Sequence, residues 1–200
     1  MLLKQIIDEN FGDYRECSML LVTPNCTFKC SECHNKHLTK METKNFPDKE
    51  ILKRFFDNPL TSAIVIGGLE PLDRIQDVVW FMYYLNEYVH KNNVEKPTVV
   101  IYTGYDLEYI DNNLYWTGLG CQLVKYNKCI IKYGGFQPEY YDDGNLKKVW
   151  NNDLGVYLAS PNQGTLVFGD FLNKIVEEDK EELEEISEYD EKDQEIFYHG

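Results

Sequence analysis

The sequence predicts an α/β protein: an open parallel sheet with helices packed on it, shaped as a partial (β/α) barrel and followed by an acidic C-terminal tail. Three observations carry this reading. Short apolar runs alternate along the chain with longer segments whose apolar residues recur every three or four positions. The first three runs each end in a loop of unusual composition, and function in parallel α/β folds gathers at those strand ends. Fewer than eight runs fit into 200 residues, so a closed eight-stranded barrel is not expected.

In chain order, residues 18–23 read as a buried strand that stops at Pro24, which has no N–H for a ladder. Residues 47–57 fit a short helix, with Asp48 near its unpaired N–H groups and Ile51, Leu52, Phe55 and Phe56 as its apolar stripe. Residues 62–66 are a second strand, stopped by Gly67-Gly68. A long helix runs from Asp73 to His90, its apolar face built from Ile75, Val78, Val79, Met82, Leu85 and Val89. The aromatic set Trp80, Phe81, Tyr83, Tyr84 and Tyr88 on that helix is expected to pack rather than to bind. Residues 98–102 form a third strand ended by Thr103-Gly104, a weaker helix occupies 106–114, and a fourth strand spans 128–133. Short strands are expected at 155–159 and 165–168.

At 43% apolar and 14% aromatic, the chain can bury one sizeable core. Its net charge of −14 is uneven: residues 177–200 carry −10, leaving −4 for residues 1–176. The expected organisation is therefore a domain over 1–176 and a solvated tail over 177–200. An acidic chain is a poor partner for nucleic acid. No run of 18 apolar residues offers a membrane span, and Met1 to Glu9 is too short and too charged for a secretion signal. The expected compartment is the cytoplasm, where six cysteines point to metal or catalysis rather than disulfides.

Three of those cysteines, Cys26, Cys30 and Cys33, lie in one loop at the spacing C-x3-C-x2-C. Three thiolates can hold three irons of a 4Fe–4S cube and leave the fourth open for something else. The alternative is zinc, with His34 or His37 as the fourth ligand. Cys17, Cys121 and Cys129 read as small buried apolar side chains.

The triplet and the His34-Asn35 that follows it resemble the signature of radical S-adenosylmethionine enzymes, and Cys-His-Asn resembles the subgroup that activates glycyl-radical enzymes. Gly67-Gly68-Leu69-Glu70-Pro71 looks like the superfamily's Gly-Gly-Glu-Pro segment. Tyr102-Thr103-Gly104-Tyr105 and Ala159-Ser160-Pro161-Asn162-Gln163 look like segments of the activases of anaerobic ribonucleotide reductase. The resemblance runs from about Cys17 to Phe168.

What the resemblance implies is a partial barrel of the radical S-adenosylmethionine type with a 4Fe–4S cluster on Cys26, Cys30 and Cys33. The open iron would take the amino and carboxylate groups of S-adenosyl-L-methionine, and one electron would cleave it to methionine and a 5′-deoxyadenosyl radical. Gly67 and Gly68 would let backbone approach the methionine end, because no Cβ intervenes. Glu70 would accept from its ammonium or serve as a helix-start carboxylate. Lys132 would meet its carboxylate or end the strand in solvent. Thr103 would touch the cofactor or cap the next turn, and Asn162-Gln163, Asn162 above all, would bind it or make an ordinary turn. Glu32 stands where an aromatic or apolar residue usually contacts adenine, so Phe28 or His34 would substitute. Leu69 separates Gly-Gly from Glu and displaces Glu70 by one position.

The activity so implied is hydrogen abstraction from a glycine of a glycyl-radical enzyme, the anaerobic ribonucleotide reductase large subunit above others. The electron would come from a low-potential donor such as flavodoxin or ferredoxin. A small-molecule radical enzyme of the carboxy-deazaguanine synthase kind is the second reading, and a non-catalytic zinc-binding adaptor the third.

Overall fold

In the computed structural model, residues 1–33, 35–114, 118–126, 128–147, 149–151 and 153–168 are described. His34, the acidic tail 177–200 and its expected boundary at 176 lie outside them, as does the side chain of Cys121. The strands are β1 (Leu2–Leu3), β2 (Gln5–Asn10), β3 (Ser18–Val22), β4 (Lys44–Asn45), β5 (Ala63–Gly67), β6 (Thr98–Tyr102), β7 (Cys129–Tyr133), β8 (Val149–Asn151), β9 (Val156–Leu158) and β10 (Gly164–Val167). The helices are α1 (Asp48–Asp57), α2 (Ile75–Asn92), α3 (Leu107–Leu114) and α4 (Leu119–Tyr126).

Six strands form the main sheet in the order β10-β7-β6-β5-β3-β2. The four central strands β3, β5, β6 and β7 are parallel, as the alternating pattern requires. The two edges correct the expectation of a parallel sheet. β2 pairs antiparallel with β3, and β10 antiparallel with β7, so the sheet is mixed. β2 escapes the sequence pattern because its run, Gln5-Ile6-Ile7-Asp8-Glu9-Asn10, is polar at four of six positions, as an edge strand tolerates. The sheet does not close into a barrel among the described residues.

The central strands are apolar at nearly every position because both of their faces are covered. On one face Met19, Leu21, Ile64, Ile66, Val99, Ile101 and Ile131 join Ile51, Leu52 and Phe55 of α1 and Val78, Phe81, Met82, Leu85 and Val89 of α2 in the main core. Each fully buried aliphatic side chain there is worth about 1.5–3 kcal/mol over its exposed state. On the other face Ala63, Val65, Val100 and Ile130 meet Tyr14 and Val156 of β9, which bridge to each other.

α2 begins at Ile75, after a 3-10 turn over Pro71–Arg74, and ends at Asn92, where Asn93 takes a left-handed φ of 50°. Of its aromatics, Phe81 is buried and Tyr88 stacks on Phe56 with centroids 4.7 Å apart. Trp80, Tyr83 and Tyr84 instead face outward, where their rings meet one another. α4 has no counterpart in the sequence reading, and β9 pairs with β8 in a hairpin outside the main sheet. Cys129 is buried as expected, whereas Cys17 is only half-buried. No helix among the described residues is long and apolar enough to cross a membrane.

Candidate functional site

The parallel register brings the ends of β3, β5, β6 and β7 together. Val22 pairs with Gly67, and Tyr102 with Lys132, on the face away from α1 and α2. The loops that follow these strands enclose a cavity of about 410 Å³. Cys26, Cys30 and Cys33 line it, together with Phe28, Gly67, Gly68, Glu70, Thr103 and Lys132. Nearly every site residue expected from the sequence thus shares one enclosure. Asn162 does not: its side chain is exposed and donates to the Gly135 carbonyl at 2.8 Å. Its neighbour Gln163 lines the cavity instead, buried, with Oε1 accepting from the Ala159 N–H at 2.9 Å and Nε2 donating to the Gly134 carbonyl at 3.0 Å.

The cysteine loop starts where Pro24 ends β3. The Thr23 N–H and hydroxyl both donate to the Gly67 carbonyl, at 2.8 and 3.0 Å, tying the strand end to β5. Gly68 has a φ of +83°, and a Cβ there would stand 2.9 Å from Val22 Cγ1, so only glycine fits this step. Its carbonyl accepts from Asn35 Nδ2 at 2.7 Å, which draws in the far end of the cysteine loop. Leu69 is buried against Val22 and Leu38 and serves as an apolar anchor.

Glu70 then lies fully inside. Its Oε1 accepts from the Leu72 N–H at 2.9 Å and the Thr103 hydroxyl at 2.8 Å, and its Oε2 accepts from the Gly104 N–H at 2.7 Å. Its own N–H donates to the Asn25 carbonyl at 2.7 Å. One residue thereby joins all three loops. It caps the turn at Pro71, the structural role left open by the sequence, and three of its roughly four lone-pair sites are taken. Burial pushes its carboxyl up to about 7, against the pull of these hydrogen bonds. Thr103 is also a turn cap, accepting from the Tyr105 N–H at 3.1 Å.

Lys132 resolves toward the interior. It is buried, its ammonium stands 5.5 Å from the Tyr102 ring centroid, and no ion pair of the described residues involves it. Burial pulls its pKa down to about 8, while Glu70, Asp13 and Cys30 draw it back up. A buried amine without a bonded carboxylate is costly, and it favours an anionic group in the cavity beside it.

The donor set fits a cluster. Cys26, Cys30 and Cys33 are free thiols on one loop at the cavity wall, with Cys26 exposed and the other two half-buried. Among the described residues, no group of three or more Cys, His, Asp or Glu side chains is arranged to hold a metal ion, and His34 lies outside those residues. A 4Fe–4S cube takes each of three thiolates on a different iron. Phe28 packs edge-to-face on Tyr105 with centroids 4.9 Å apart, and a Cβ on Gly104 would stand 2.9 Å from its ring. Glu32, between the second and third cysteines, points outward and accepts a hydrogen bond from the Tyr140 hydroxyl.

The residues that the sequence does not single out are Asp73, Tyr102 and Asn35. Tyr102 and Asn35 lie in segments that carry the resemblance; Asp73 gives no sequence signal beyond a carboxylate at a helix start.

Among known families, the model described as a 4Fe-4S single cluster domain matches residues 15–151. That stretch includes the cysteine loop, the Gly-Gly-Leu-Glu-Pro turn, Thr103 and Lys132. Neither the curated proteins nor the solved structures hold a match to the chain.

Proposed function

The chain belongs to the 4Fe–4S single cluster domain family, and from that premise we propose that it is a radical S-adenosylmethionine enzyme that activates a glycyl-radical enzyme. One observation carries the reading: the three free thiols and the buried Lys132 amine line the same cavity. Cys26, Cys30 and Cys33 hold the cluster, which when bound supplies one electron at low potential to the sulfonium of S-adenosyl-L-methionine.

The chain's own residues bind and orient. The Lys132 ammonium pairs with the methionine carboxylate, which answers the cost of burying the amine. Gly67 and Gly68 expose backbone to the methionine end. Glu70, with one acceptor site to spare, receives the methionine ammonium while it holds the three loops together. Phe28, braced by Tyr105, offers its ring to the adenine.

A cavity of about 410 Å³ suits one cofactor-sized ligand. The Tyr102-Thr103-Gly104-Tyr105 and Ser160-Pro161-Asn162-Gln163 segments, which resemble those of the activases, favour a peptide substrate over a purine-like one. The partner is then a glycyl-radical enzyme, the anaerobic ribonucleotide reductase large subunit above others, and the electron donor a flavodoxin or ferredoxin. Anaerobic reconstitution followed by reduction with S-adenosyl-L-methionine tests the reading. 5′-Deoxyadenosine is expected, with a glycine-centred radical signal when the partner is added. Full iron occupancy without 5′-deoxyadenosine would overturn the radical chemistry.

A further inference from the structure

We infer that Asp73 is a positioning residue for the cysteine loop, holding the stretch from Cys26 to Phe28 against the rest of the site. The inference rests on reading that loop as the cluster loop. Asp73 lies in the 3-10 turn over Pro71–Arg74, three residues beyond Glu70. Its Oδ2 accepts from the Thr27 N–H at 2.6 Å. Its Oδ1 accepts from the Thr27 hydroxyl and from the Tyr105 hydroxyl, each at 3.0 Å. Three donors from two different loops therefore end on one carboxylate.

The clamp acts on an exposed part of the loop. Cys26 is the exposed member of the triplet, so packing alone does little to fix its thiol. Thr27 follows it directly, and the Thr27 N–H bond fixes the peptide plane between the two residues. On the other side Tyr105 sets its ring edge-to-face against Phe28 and stacks on Tyr109, with centroids 4.9 and 3.7 Å apart. The same carboxylate thus positions Cys26 through the backbone and Phe28 through Tyr105. Glu70 performs the matching task one residue before the triplet, through Asn25.

Geometry also ranks the substitutions. An asparagine can turn its oxygen to the Thr27 N–H and donate to the hydroxyls, which can rotate to accept. It keeps the connections and loses the charge assistance. Alanine keeps none of them. Asp77→Ala is the control: it removes the 2.7 Å pair between Asp77 in the first turn of α2 and Arg74 of the 3-10 turn, without touching the cysteine loop.

The test reconstitutes wild type, Asp73→Ala, Asp73→Asn and Asp77→Ala anaerobically. It then follows iron loss to EDTA and records the electron paramagnetic resonance spectrum of the reduced cluster. Asp73→Ala is expected to lose iron about tenfold faster than wild type and to give an altered spectrum. Asp73→Asn should stay within about threefold, and Asp77→Ala at the wild-type rate. Equal iron retention by wild type and Asp73→Ala, or equal acceleration by Asp73→Ala and Asp77→Ala, overturns the positioning role alone. A wild type that takes up no iron overturns the cluster reading and the inference with it.

Discussion

Glu70 places a carboxylate in the interior where three donors converge on it, and the balance between burial and hydrogen bonding sets its titration. Its folded-state pKa is raised to about 7 from an ordinary 4.5, so the folded chain takes up this proton before the unfolded chain does. The resulting contribution to stability is fully present below 4.5 and is lost as pH rises through about 7. Glu70→Gln removes that titration. Urea unfolding of the metal-free protein at pH 5.5 and pH 8 should show a wild-type drop larger than the variant's by roughly 2 kcal/mol. At the cysteines the expectation is simpler. Cys30→Ala leaves two thiolates, and reconstituted protein should fall well short of four irons and four sulfides per chain by chemical assay. A full cluster in that variant would remove Cys30 from the ligand set.

At the scale of elements, the site depends on how strands end. β3 stops at a proline, β5 at two glycines and β6 at a threonine that caps the next turn, and each stop feeds a loop of the site. Gly68 is the tightest of these points. Its φ of +83° and the approach of Val22 leave no room for a side chain. Gly68→Ala should cost about 1–2 kcal/mol in urea unfolding, the penalty of a left-handed residue plus the displaced contact. The same variant should loosen the Asn35 bond to the Gly68 carbonyl. Increased protease cleavage after Lys36 would report that loosening.

At the scale of the whole molecule, the charge is segregated. Residues 177–200 hold −10 of the net −14, and the family match ends at residue 151. A chain truncated after Val176 is therefore expected to bind iron and sulfide in wild-type stoichiometry. Loss of the cluster on truncation would give the acidic segment a part in the site. Four parallel strands, buried on both faces, hold Val22, Gly67, Tyr102 and Lys132 in register within residues 1–168.

Local chemistry was legible because it repeats within short stretches. The central strands announce themselves as apolar runs, and the cysteine loop and the Gly-Gly turn by residues that few other roles require. The edge strand β2 was not legible, since only Ile6 and Ile7 of its six residues are apolar. The sequence by itself determined the composition of the site: three thiols, a glycine step, a glutamate and a lysine, each at the end of a strand. The tertiary structure alone decided their duties. Glu70 joins three loops, Gln163 lines the cavity where Asn162 does not, and Asp73 accepts from Thr27 on the cysteine loop. Those duties rest on hydrogen bonds between residues about 30–46 positions apart, and such pairings are set by the register of the sheet rather than by any local pattern.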